Sequence, residues 1–218
     1  MAGGAMNKAI RSLILPFTAL LAACNMGAGG NASSEMEGTR GDLAGARIGA
    51  AFTLTDQDGK KVRWDDFKGK YRLVYFGYSY CPDVCPLDLQ HIMQGFSQFE
   101  KADAKRAAKV QPIFISVDPE RDTPAVLKTY VAAFHPKLIG LTGTPEEIAK
   151  VEKDFVVIAN KEQAKGDSEY LVSHTRTPYL FGPDGQPVAL VPVDDPGTPD
   201  QDEGGRDNVR AFLEKWVK

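Results

Sequence analysis

The feature that most constrains this chain is a handover near residue 80. Tyr71–Tyr78 reads YRLVYFGY, almost continuously apolar and aromatic. A run of that kind suits a strand buried on both faces. Directly after it comes Cys81-Pro82-Asp83-Val84-Cys85-Pro86. Beyond that, Leu87, Leu89, Ile92, Met93, Phe96 and Phe99 recur at mostly helical spacing. The pattern predicts a buried strand, a turn carrying two cysteines, and a helix. In α/β folds such a junction is where function usually sits.

The flanking segments extend the alternation. Phe52–Thr55 and Lys61–Arg63 read as short strands around the turn signal Asp56-Gln57-Asp58-Gly59. Val110–Val117 is a further apolar strand. Thr123 can cap the next helix with Pro124 at its first position, and Thr144-Pro145 opens another, with Glu146 and Glu147 in its first turn. Leu138–Leu141 is a short strand between them. Phe155–Ala159 with Tyr170–Ser173, and Tyr179–Phe181 with Val188–Val193, read as two hairpins. Asp194–Asn208 is acidic and rich in Pro and Gly and reads as a loop, and Val209–Val217 as a closing helix. The expected class is α/β. A partly parallel central sheet, flanked by helices and finished by an antiparallel hairpin, resembles the thioredoxin pattern, here with an extra N-terminal β-hairpin.

The start of the chain reads as an address. Lys8 and Arg11 precede an apolar run, Ser12–Ala23, of 12 residues. A membrane-spanning helix needs roughly 20, so the run reads as a secretory leader, residues 1–23. It ends in Leu21-Ala22-Ala23-Cys24, which resembles a bacterial lipobox. Lipid on Cys24 would anchor the protein to a membrane on the periplasmic side of an export step. Residues 24–45, dominated by Gly, Ala, Ser and Asn, read as a flexible tether, leaving 46–218 as the folded domain. A net charge of −3 gives no basic footprint and disfavours nucleic-acid binding.

Three cysteines are too few for a disulfide scaffold. With Cys24 assigned to the leader, Cys81 and Cys85 form a close pair. Spaced i, i+4, they share one face if helical, and a helix N-terminus favours thiolates. The pair can serve as a structural disulfide, a redox couple or two metal ligands. Three histidines are candidate third ligands. His91 falls on another face of the helix that follows Cys85. His135, before Pro136, reads as a cation at a helix C-terminus. His174 lies in Ser173-His174-Thr175-Arg176-Thr177-Pro178, a polar loop between strands. Spacing alone does not bring any of them to the cysteines.

Three ordered segments carry a family resemblance. YFGYSYCPDVCPLDL resembles the Sco/SenC signature around its CxxxC, ISVDPERDTP the second motif of that family, and YLVSHTRTPYLFGPDG the third, which holds its histidine. The resemblance implies a copper site on Cys81, Cys85 and His174, and a metallochaperone that delivers copper to the copper-site subunit of cytochrome c oxidase and assists its assembly. The family commonly has Asp directly before the histidine, where this chain has Ser173. Two sulfurs and one imidazole nitrogen suit Cu(I), and imidazole also suits Cu(II). A structural zinc would want a fourth ligand, whereas Asp83 reads as solvent-facing and available to a partner.

The alternative is a thiol–disulfide reductase in which Cys81 and Cys85 are the redox-active pair and keep the oxidase cysteines reduced. On that reading the chain is an enzyme of sorts. On the first it is not a conventional one. A peroxidase or redox sensor ranks behind both. Other periplasmic copper chaperones and thiol reductants are expected partners. Asp118–Asp122 is expected to form an ion-pair network beside the cysteines. Thr177-Pro178 has the sequence position of the cis proline that thioredoxin folds set opposite their cysteines.

Overall fold

A computed structural model of the chain describes residues 42–163, 170–195, 197 and 202–218. The leader, Cys24 and the tether up to residue 41 lie outside the described residues.

Strands β1 (Thr53–Asp56) and β2 (Lys61–Arg63) form the N-terminal hairpin, closed by Gly59 at φ +79°. A 3-10 turn over Trp64–Phe67 leads to β3 (Tyr71–Gly77), buried at every position as its apolar run requires. Helix α1 (Val84–Ala102) and the short α2 (Ala104–Ala107) return the chain to β4 (Val110–Ser116). Helix α3 (Pro124–Ala132) crosses to β5 (Ile139–Thr142), and α4 (Pro145–Asp154) follows. Both α3 and α4 begin as the sequence signals: Thr123 and Thr144 accept from the amides of Val126 and Glu147, with Pro in the first turn. Then come β6 (Ala159–Glu162), β7 (Leu171–His174), β8 (Tyr179–Phe181), β9 (Pro187–Leu190) and α5 (Arg206–Trp216).

Seven strands make one mixed sheet in the order β2-β1-β5-β4-β3-β8-β9. β3, β4 and β5 run parallel, with α1 and α3 as crossovers, and β8 pairs antiparallel to β3 (Val74 opposite Tyr179). This is the mixed α/β sheet expected, with the extra hairpin added beyond β5 through β1. β6 and β7 pair only with each other among the described residues. The second hairpin therefore stands apart from the main sheet, and its strands begin later than the apolar residues Phe155–Ile158 suggest. Phe155 is fully buried in an aromatic cluster with Phe52, Trp64, Phe76 and Phe181, so it ends α4 instead of starting a strand.

The closing helix also departs from expectation. It begins at Arg206, inside the segment read as a loop, with Gly205 as its N-cap. Val209 and Leu213 bury one face of it, and Gly95 of α1 lets it approach. A Cβ on Gly95 would stand 2.6 Å from Val209 Cβ and 2.7 Å from the Arg206 carbonyl oxygen. At the other end of the domain, the Leu43 amide donates to the Val188 carbonyl at 2.9 Å, so contacts with β9 reach back to the start of the described chain.

Candidate metal centre

The site forms where β3 ends. After Gly77 the chain turns, with the Cys81 amide donating to the Tyr78 carbonyl at 3.3 Å. Helix α1 begins only at Val84, so Cys85 lies in its first turn while Cys81 stands before it. The two cysteines are thus not one helical face, as i, i+4 spacing suggests. Instead Cys81 Sγ caps the helix start and accepts from the Cys85 amide at 3.4 Å. Asp83 is exposed and makes no capping bond with its side chain, consistent with a solvent-facing carboxylate. Cys81 and Cys85 stand as free thiols, Cys85 fully buried and Cys81 partly so.

The His174 imidazole comes from the far end of β7. Its Nε2 lies 3.0 Å from Cys85 Sγ, and its Nδ1 lies 2.9 Å from the Thr175 carbonyl oxygen. A carbonyl can only accept, so Nδ1 carries the proton and Nε2 offers a lone pair to the sulfur. The ring packs edge-on against Tyr78, centroids 6.0 Å apart. Burial lowers the His174 pKa and favours the neutral form.

The thiols are unequal. The hydrogen bond from Cys85, aided by the Asp83 and Cys85 amides, overcomes burial and lowers the Cys81 pKa to about 5. The same bond to the Cys81 thiolate, together with burial, pushes the Cys85 thiol strongly up. The pair holds one proton, on Cys85, between a thiolate and an imidazole nitrogen. Among the described residues no three His, Cys, Asp or Glu side chains stand as a ready-made cage. Ligands sharing one ion sit about 3.5 Å apart at ordinary bond lengths. The 3.0 Å contact is therefore a hydrogen bond.

The other two histidines are elsewhere. His91 Nδ1 lies 3.8 Å from Asp194 Oδ2 on another face of α1, as its spacing implies. His135 is not the helix-end cation expected. It is buried against Phe96, its Nδ1 accepts from the Lys137 amide, and desolvation lowers its pKa despite Glu100 at 3.3 Å.

The expected network beside the cysteines is present. Arg121 Nε donates to the buried Asp118 at 2.5 Å, and Nη1 to the Tyr170 carbonyl at 2.9 Å. The guanidinium lies over the rings of Tyr170 (3.8 Å), Tyr80 (4.8 Å) and Tyr78 (5.7 Å). Asp122, fully buried, accepts from the Ser116 hydroxyl and from the amide and hydroxyl of Ser79. The second motif thereby braces the residues that lead into Cys81.

One pair was not legible in the sequence. Asp88, one turn along α1 from Cys85, is 4% exposed and takes two bonds from Arg176: Nε to Oδ2 at 3.0 Å and Nη2 to Oδ1 at 2.7 Å. Tyr75 on β3 donates to the same carboxylate at 3.1 Å. Pro178 lies immediately before β8, and its carbonyl accepts from Val191.

Comparison with known proteins gives the same family. The SCO1/SenC family model matches residues 40–201. The chain is 39% identical over 171 residues to Protein SCO2, mitochondrial, of Saccharomyces cerevisiae, covering 78% of this chain and 54% of that protein. It is 40% identical over 139 residues to Protein SCO1 homolog, mitochondrial, of Homo sapiens, covering 64% and 46%. The chain spans about half the length of the curated relatives it matches. Among solved structures, Bradyrhizobium japonicum ScoI with copper bound aligns with a TM-score of 0.66 at 41% identity, covering 78% of this chain and 99% of that one. Arabidopsis thaliana ScoI with copper bound aligns at 0.68 and 37%, covering 77% and 96%.

Proposed function

Because the chain belongs to the SCO1/SenC family, we propose that it is a copper carrier, with Cys81, Cys85 and His174 as ligands and copper as cargo. The observation that carries this reading is the 3.0 Å approach of His174 Nε2 to Cys85 Sγ. It joins a distant imidazole to the cysteine pair, and the Nδ1–H tautomer leaves that nitrogen free to bind. Two sulfurs and one nitrogen are a soft donor set suited to Cu(I). Cys81 is already ionised near neutral pH, so loading need displace only the Cys85 proton. The copper-bound structures of similar proteins support the same cargo. Three protein ligands leave an open side for transfer. The receiving partner is the copper-site subunit of cytochrome c oxidase, by family resemblance, with other periplasmic copper chaperones as further partners.

The place of action is part of the same proposal. The leader and Cys24 assign the chain to the periplasmic side of a membrane, tethered by lipid through residues 24–45, with residues 46–218 as the working domain. A structurally similar protein from Bacillus anthracis, 25% identical, is a SCO1/SenC family lipoprotein.

Copper stoichiometry and X-ray absorption on the reduced chain test the assignment. One copper with two sulfur neighbours and one imidazole nitrogen is expected. A coordination shell lacking the nitrogen overturns it.

A second reading, thiol–disulfide reductase, has one observation in its favour: the partly exposed Cys81 is an activated thiolate and the buried Cys85 a resolving thiol. In one turnover the Cys81 thiolate and the Cys85 thiol would become a disulfide, passing two electrons to a disulfide of the oxidase cysteines, which becomes two thiols by taking the Cys85 proton and one from solvent. His174→Ala separates the readings. If oxidase assembly survives the loss of copper binding, reduction is the function.

A further inference from the structure

Copper retention by three ligands requires that the loop carrying His174 stay over α1, and the ties of its hairpin to the main body, the Val172 amide to the Tyr78 hydroxyl at 3.2 Å and Arg121 to the Tyr170 carbonyl at 2.9 Å, all lie on the N-terminal side of His174. His174 pairs with Ala159, the Thr175 amide donates to Ile158 at 2.9 Å, and Thr175 Oγ1 accepts from the Ile158 amide at 3.0 Å. All of these lead to β6, which joins no strand of the main sheet among the described residues. The chain rejoins that sheet only at Tyr179.

Between these points lies Arg176, two residues beyond His174. Its partner Asp88 lies three residues beyond Cys85. Two rungs therefore run side by side between α1 and the β7–β8 connection: Cys85 to His174, and Asp88 to Arg176. The second is a fork of two bonds, which fixes direction as well as distance. Its Asp88 end is buried and its Arg176 end partly so, and an ion pair taken out of water often adds no net stability over apolar side chains of the same size.

We propose that the Asp88–Arg176 pair is the positioning device for the third copper ligand. It holds His174 against the cysteines and decides whether a bound ion engages two sulfurs alone or two sulfurs and a nitrogen. Neither side chain touches the metal. The proposal rests on the copper reading above and deepens it.

The test uses the reduced full chain, Cu(I) competition against a chromophoric chelator, and X-ray absorption. The informative variant is the double substitution Asp88→Asn with Arg176→Met, which removes both charges and strands neither. Loss of outer partners of a ligand typically costs about 10–100-fold in metal affinity. A drop of that size is expected, with the two-sulfur shell kept, the imidazole shell weakened or lost, and circular dichroism unchanged. Wild-type affinity with an intact nitrogen shell overturns the proposal. Should the double variant fail to fold, Arg176→Lys asks the same question, because an ammonium keeps the charge without the fork. It is expected to lose affinity and nitrogen shell in part, and full retention of both overturns the proposal. His174→Ala runs alongside. If that variant binds copper as tightly as wild type, the three-ligand reading falls and takes this proposal with it. If it loses copper while the double variant does not, the positioning proposal alone falls.

Discussion

His174 Nε2 and Cys85 Sγ stand 3.0 Å apart although 89 residues separate them in sequence. The contact leaves the Cys85 proton between an imidazole nitrogen and the Cys81 thiolate. The two thiols of the metal-free reduced chain should therefore react very differently. Iodoacetamide is expected to modify Cys81 at least about tenfold faster than the buried Cys85, the thiolate being the nucleophile. With its pKa lowered to about 5 by the bond from Cys85, Cys81 should stay reactive through neutral pH and slow only as pH falls through that value. Peptide mapping after timed alkylation checks this, and equal labelling of both cysteines would refute it.

The Arg121 network is more than a solvated loop. Asp118 is fully buried, and the guanidinium that faces it also lies over Tyr80, the residue before Cys81. Removing one partner of a buried pair typically costs about 3–5 kcal/mol, so Arg121→Ala should lower unfolding stability by about 3 kcal/mol, with copper retention falling as well. Arg121→Lys should recover little, because lysine lacks the planar fork that both bonds and stacks. Urea denaturation of the three proteins decides it. An Arg121→Ala variant as stable as wild type would reduce the cluster to surface charge.

The parts of this molecule that could be read beforehand are those set by local pattern. β3, the cysteine turn and α1 follow from a continuous apolar run and a 3.6-residue repeat, and the starts of α3 and α4 from Thr-Pro caps. What could not be read depends on tertiary burial. Arg206 begins α5 in an acidic, glycine-rich stretch because Val209 and Leu213 find a surface on α1 beside Gly95. His135 fits a cation by its place in sequence, yet the ring is buried against Phe96. At the site, the cysteine pair was legible from spacing, while His174 required family resemblance. Asp88 and Arg176 carry no signal at all: on a helix and in a polar loop they look like two ordinary surface charges, and only folding joins them, with Asp88 buried and Arg176 partly so.

Glu152 should make stability depend on pH in the direction opposite to most carboxylates. It is half-buried on α4, beside a cavity of about 170 Å³ lined by Val117, Pro119, Ile148 and Val172. Burial raises its pKa from 4.5 to about 7. The folded state therefore keeps a proton that the unfolded chain releases near pH 4.5. The contribution to stability is complete below pH 4.5, declines as pH rises toward 7, and stays lost above it. After allowance for partial solvent access the loss should be about 1–3 kcal/mol. Glu152→Gln should lack this decline and be the more stable protein at pH 8. Denaturant melts of both proteins at pH 4 and pH 8 isolate the difference, and parallel pH profiles would remove Glu152 as its source.

Val156 closes α4 in a conformation that suits glycine. Its φ is +57°, and the turn around it satisfies the helix end, with the Val157 amide donating to the Glu152 carbonyl at 2.8 Å and the Val156 amide to Lys153 at 3.3 Å. A β-branched residue in the left-handed region is strained by about 1–3 kcal/mol. The side chain is 59% exposed, so little packing offsets that cost. Val156→Gly removes the strain and gives back part of the gain as backbone entropy of the unfolded chain, roughly 0.5–1 kcal/mol. The net expectation is a stabilisation of about 1 kcal/mol, seen as a rise of about 2–4 °C in the unfolding midpoint for a domain of this size. Because the hairpin bearing His174 begins just beyond this turn, copper affinity measured on the same variant reads whether the strain also aims the hairpin. Unchanged affinity with raised stability makes the turn a purely structural fault, and a fall in stability would show that the left-handed valine is held by packing instead of strained against it.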